Sequence, residues 1–183
     1  MLPTGHIEFT WAALNLMQRG AGLFEDTDYR LMALCAVLPD AIDKPLATFV
    51  MTDSEAALLF GHTALLHGGV WLAAAATGKL PRALPYLLAF SGHLLADRMW
   101  GFSQTLLWPL RGRRFHHWKH VGSPAAILDA YLKVIRSEPL LVTFEVVGAG
   151  LLAWFVIDRK LWQAEQITAL VRSGTVDKRD ARK

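Results

Sequence analysis

A single cysteine, Cys35, is present. No disulfide can therefore form within the chain, and the small, bridge-stapled secreted scaffolds are excluded. Cys35 lies in LMALCAVL and reads as a small core residue. Charge is also scarce, at 19% of residues against 53% hydrophobic, where a soluble domain carries about 25% charged. The net charge of +3 and pI near 9.2 are too weak a bias to hold a phosphate backbone, and no nucleic-acid partner is expected. No stretch alternates polar and apolar residues as a half-buried strand does, and no segment repeats. The opening MLPTGHIEFTWAALNL has no basic leader and is interrupted by Glu8 and Asn15, so no secretory signal is expected. The inner (cytoplasmic) membrane, or the cytoplasm beside it, is the expected location.

What is present is a series of apolar segments divided by proline and glycine. Thr4 caps a helix over 4–17, ended by Gly20 and Gly22, and Asp28 caps one over 28–37, closed by Pro39. Ser54 opens a long apolar helix toward Thr77, and another runs over 81–100. Residues 102–123 form an irregular connection, and Pro124 suits the first turn of a further helix. The last helix runs over 139–171, and the polar tail 173–183 is expected to be disordered. The fold class is all-α: a compact helical bundle with a helical core over 1–123 and C-terminal helices over 124–172. Residues 140–157 are 18 apolar positions, near the lower limit for crossing a bilayer, although Glu145 among them is expensive in lipid. They read as a transmembrane or membrane-associated helix, and membrane lipid is an expected partner. Residues 56–77 carry no formal charge but hold His62 and His67, and they read as a buried core helix.

Inside this apolar chain a few polar residues stand out. His93 and Asp97 in SGHLLAD are four apart, so a helix places them on one face. His6 lies in TGHIEF, Asp40 and Asp43 in LPDAIDKP, and His62 and His67 in FGHTALLHGG. Each has a structural alternative: His93 with Asp97 as a hydrogen-bonded pair, Asp40 and Asp43 as turn caps, His6 as a surface residue. Together they offer imidazoles and carboxylates, a mixture that suits zinc, or manganese or iron in a similar site. His62 and His67 sit about 140° apart on a continuous helix, at roughly 100° per residue. Either His62 precedes the helix or the two serve different roles.

The order of these spots resembles the YdjM-like family of membrane-bound, metal-dependent hydrolases, also described as LexA-regulated inner-membrane proteins. Gly5-His6, Leu38-Pro39-Asp40 with Asp43 and Pro45, Gly61-His62 with His67, His93 with Asp97, and Leu106-Leu107-Trp108-Pro109 follow that family's motifs in order, over residues 5–115. The departures are one extra residue between Asp40 and Asp43, Lys44 in place of a histidine, and Thr63, Leu66 and Gly68 in place of Arg, Thr and Ser. The resemblance implies an all-α core like that of zinc-dependent phospholipase C and nuclease folds, and a phosphoester or lipid ester substrate. A repressor-type protein partner is implied by the family description alone.

The resulting expectation is a site in which His6, Asp40, His62, His67, His93 and Asp97 bind a divalent metal that activates water. Asp43 would act as the base or as a carboxylate behind the ligands. RGRRFHHWKH, residues 111–120, reads either as a solvated basic loop or as an interfacial patch for anionic headgroups.

Overall fold

The computed structural model describes residues 1–51, 56–117 and 123–176, and among these every regular element is helical. Helix α1 (Pro3–Ala21) begins with proline, whose fixed φ suits a first turn. Its first turn is completed from far away: Glu145 accepts hydrogen bonds from the Leu2 N–H (2.8 Å) and the Thr4 hydroxyl (3.2 Å). The carboxylate that looked costly inside an apolar run is thus an N-terminal cap for another helix.

Helix α2 (Tyr29–Pro45) starts at Asp28, whose side chain accepts from the Arg30 and Leu31 N–H groups. Pro39 does not close it. The helix runs through the proline and on into a π-turn at Leu46–Val50. A proline removes one backbone donor, and here packing against α1 on one side and the helix over residues 80–96 on the other outweighs that loss. As a result Asp40 and Asp43 are helical residues on α2 and not turn caps.

The long helix expected from Ser54 does not form as drawn; residues 52–55 lie outside the described residues. Instead a 3-10 turn at Phe60–His62 precedes α3 (Ala64–Ala76), which Thr63 caps through the Leu66 N–H at 3.2 Å. The core-helix reading fails for α3, whose only buried residue is His67, while buried residues of the segment such as Ala56, Leu59, His62 and Thr63 precede the helix. Helix α4 (Leu80–Ala96) follows, then a 3-10 turn at Met99–Phe102 and the short α5 (Ser103–Leu106) within the expected irregular stretch.

Helix α6 (Pro124–Ser137) starts at the expected proline. The single helix expected over 139–171 is two, α7 (Pro139–Asp158) and α8 (Ala164–Ser173). The break falls where Arg159 turns inward, 7% exposed, to donate to Asn15 and Gln18 on α1. The tail is ordered further than expected, because Val176 is buried and the Tyr29 N–H donates to the Gly174 carbonyl at 2.7 Å; residues 177–183 lie outside the described residues.

Helices α1, α2 and α4 pack together, and α7 lies along α1. The main core gathers Leu14, Tyr29, Met32, Ala89, Phe155 and Leu161, with Trp11 against both Tyr29 and Phe155. A smaller cluster of Ala47, Ala56 and Leu59 is covered by Phe60 and Phe115. Helix α7 is long and apolar enough to cross a membrane, and only 11% of its apolar window is buried within the chain.

Candidate metal centre

Three separate elements bring the donors together. Asp40 comes from α2, His62 from the turn before α3, and His93 and Asp97 from the end of α4, where Asp97 is the C-cap. One ligand atom from each of these residues lies within 4.8 Å of all the others. The two Nε2 atoms of His62 and His93 are 3.1 Å apart. Asp97 Oδ2 lies 3.3 Å from His93 Nε2 and 3.6 Å from His62 Nε2. Asp40 Oδ1 lies 3.6 Å from His62 Nε2 and 3.9 Å from His93 Nε2. Zinc bonds of about 2.0–2.1 Å place tetrahedral donors roughly 3.3 Å apart, so the spacing fits a small divalent ion.

The hydrogen bonds fix how the rings present themselves. His93 Nδ1 lies 2.7 Å from the Ala36 carbonyl, which can only accept, so Nδ1 carries the proton and Nε2 a lone pair. His62 Nδ1 donates to Asp43 Oδ2 at 2.7 Å, so its Nε2 is the nitrogen turned toward His93. Two imidazole Nε2 atoms then face each other at 3.1 Å inside the protein, and they cannot both present bare lone pairs. That arrangement is repulsive unless a proton or a cation lies between them. Burial pushes the His62 pKa down, but hydrogen bonds to Asp43 and Asp97 and the charges of Asp43 and Asp40 more than offset it and push it up to about 9. Burial also opposes ionisation of Asp97, yet the three imidazoles packed around it, His6, His62 and His93, hold it well below the usual carboxylate range.

Asp43 does not face the donors. It is fully buried behind His62 and accepts from the Leu59 N–H (2.5 Å), the Gly61 N–H (2.7 Å) and His62 Nδ1. Of its two expected roles the structure places it in the second: it orients an imidazole, and its oxygens are engaged away from the cluster. The loop reaches it only because residue 61 is glycine. A Cβ there would lie 2.6 Å from the Pro39 carbonyl oxygen and 2.9 Å from Asp43 Oδ1.

The expected ligand His67 is also elsewhere. Its Nδ1 meets Ser91 Oγ at 3.1 Å, its Nε2 meets the Gly61 carbonyl at 3.0 Å, and its ring stacks on Phe90. Both nitrogens are engaged in tying α3 to α4 and to the loop. His6 lies at the edge of the cluster. Its ring stacks on His93 with centroids 3.9 Å apart, and its Nε2 is 3.2 Å from Asp97 Oδ1, the oxygen turned away from His62. That nitrogen is buried and has no well-aligned hydrogen bond, and burial lowers the His6 pKa, keeping the ring neutral.

Some contributors had no signature in the sequence. The Ala36 carbonyl sets the tautomer of His93, and Ser91 serves both His67 and the Trp71 N–H. Lys44, singled out in the sequence as standing where the family motif has a histidine, pairs with Asp40 Oδ2 and leaves Oδ1 to the cluster. In the basic segment, Arg111 donates to Ser103 and Phe115 packs on Phe60 and Trp108, while Trp118, Lys119 and His120 lie outside the described residues. Comparison with family models, with curated proteins and with solved structures finds no match, so the meaning of the site rests on the donor geometry itself.

Proposed function

We propose that this chain is a membrane-associated hydrolase that uses a divalent cation, zinc by its donor set, to cleave an ester, with a phosphoester or lipid-linked phosphate as substrate. The observation that carries the reading is the pair of buried imidazole Nε2 atoms, 3.1 Å apart, with room for a proton or a cation between them and flanked by Asp40 and Asp97. Asp40, His62, His93 and Asp97 would hold the ion. A bound ion of this kind supplies Lewis acidity and brings the pKa of a coordinated water toward neutrality. The chain's own residues do the rest. Asp43 and the Ala36 carbonyl lock the two rings with Nε2 inward, and His6 stays neutral beside Asp97. The ester and phosphate assignments follow the YdjM-like resemblance and the apolar setting.

Membrane association, at the inner membrane by the same resemblance, is supported by α7 and by the apolar residues that α3 turns outward, such as Leu65 and Leu72. The test is metal content of the purified protein by mass spectrometry, followed by hydrolysis of a generic phosphodiester before and after chelation. The expected result is one ion per chain and an activity that chelation removes and zinc restores. A chain that retains no divalent ion sinks the reading.

A second reading, a non-catalytic membrane protein with a metal- or partner-binding site, has one observation in its favour. Lys44 occupies Asp40 Oδ2, and Thr63, where the family motif has arginine, is used as a helix cap. Stoichiometric metal without turnover on phosphomonoesters, phosphodiesters or phospholipids would select it.

A further inference from the structure

A groove of about 250 Å³ runs between α1 and α4. Phe9, Ala13 and Met17 line one side, and Leu88, Ala89 and Gly92 the other; the buried residues Met32 and Ala36 of α2 lie beneath. His6 and His93, whose Nε2 atoms face Asp97, mark one end, and Phe24 and Pro85 the other. From His6 to Met17, and from Pro85 to Ala96, each wall spans roughly 16 Å at the rise of an α-helix.

The chemistry of the lining selects the occupant. Besides the two imidazoles, Thr10 is the one polar side chain on it. A peptide would leave its backbone N–H and C=O groups unpaired there, and a sugar its hydroxyls, each at a desolvation penalty. A hydrocarbon chain leaves nothing unpaired. Gly92 points the same way. It lies in the interior of α4, where glycine costs about 1 kcal/mol relative to alanine. Yet a Cβ at this position would meet nothing within 4 Å, so no packing contact demands the glycine. What it leaves is open space in the groove wall, next to His93. The rim also continues into exposed apolar surface at Leu16 and Leu95, which are 57% and 69% exposed.

We propose that this groove takes a hydrocarbon chain of the substrate, so that the substrate is a lipid ester lying with its tail between α1 and α4 and its polar head at the His6 and His93 end. The proposal deepens the hydrolase reading and rests on it for the chemistry of the head, but the groove itself does not depend on the metal.

The probe is dodecyl phosphate carrying a diazirine at the far end of its chain, added to the full chain in phosphatidylcholine nanodiscs and cross-linked by light. Labelling is expected on the Met17–Phe24 side of α1 and near Pro85 on α4. Ala13→Trp, at an exposed position that tolerates a large side chain, and Gly92→Leu should each cut that labelling by about tenfold or more. Bound zinc per chain should stay unchanged in both. Labelling confined to α7, or equal in wild type and in the folded variants, overturns the groove. If the groove labels and no metal is retained, the tail site stands and the hydrolase reading falls. If metal is retained and the groove stays unlabelled, the reverse holds.

Discussion

Helices α4 and α7 look alike in sequence: each is a long apolar run with a titratable side chain toward its middle or end. In α4 that group is His93, which ends in a cluster of buried donors with its Nε2 turned to His62 and Asp97. In α7 it is Glu145, whose oxygens are taken up by Leu2 and Thr4 of α1. An interrupted apolar run therefore signals that a partner exists without saying which kind. A site is distinguished by several like donors that converge on one point, and a cap by one acceptor that meets its donors and cancels them.

The sharpest way to break this contrast is to remove donors from α4. His93→Ala and Asp97→Ala should each weaken zinc binding by about 10²–10³-fold, since the ~10–16 kcal/mol of a four-ligand site is shared among its ligands. Competition with a chromogenic chelator measures it. Unchanged zinc affinity would make the pair structural. Next in size, Asp43→Asn should lower zinc affinity or turnover by about 10–100-fold, the usual loss when the group orienting a metal-bound histidine is removed. Asparagine keeps the shape but cannot accept from all three donors.

His67 tests the contrast from the other side. His67→Ala should leave zinc binding intact and lower stability by about 1–3 kcal/mol through lost hydrogen bonds to Ser91 and Gly61, seen in denaturant unfolding. Loss of metal in that variant would return His67 to the ligand set.

The proton on His62 gives a pH test. Its pKa in the folded chain is about 9 against an ordinary 6.5, so its stabilising effect is complete below pH 6.5 and is lost as pH rises through about 9. The thermal midpoint of the metal-free chain should fall across that window. Zinc should displace the proton, so calorimetry in buffers of different ionisation enthalpy should detect proton release near pH 7.5 that fades above pH 9. The smallest effect belongs to α7. Glu145→Ala should cost about 1 kcal/mol, the usual worth of a helix cap, with zinc content unchanged.

The all-helical class, the starts of α2, α6 and α7, and the convergence of Asp40, His62, His93 and Asp97 were legible because proline, capping residues and isolated polar groups are local signals. The side on which each polar residue ends was not. Asp43 and His67 are the same residue types as the ligands, in the same apolar setting, and only tertiary placement turns them away. Pro39 is a reliable stop signal in isolation and fails here because α2 is sandwiched. Arg159 resembles a solvated residue, and its burial against Asn15 and Gln18, which ends α7, depends on contacts more than 140 positions away. For α3, apolarity measured the solvent it suits and not its depth within the chain.

The cap that Glu145 provides has a consequence for the order of synthesis. Every donor of the cluster lies within the first 97 residues, and α1, with His6 on its first turns, is made before the others. That first turn acquires its acceptor only when a residue 141 positions beyond Thr4 has been made and has come to lie beside it. His6 can meet His93 and Asp97 once α4 is made, but the cap on the turn that carries it waits for the very helix that is long and apolar enough to cross a bilayer.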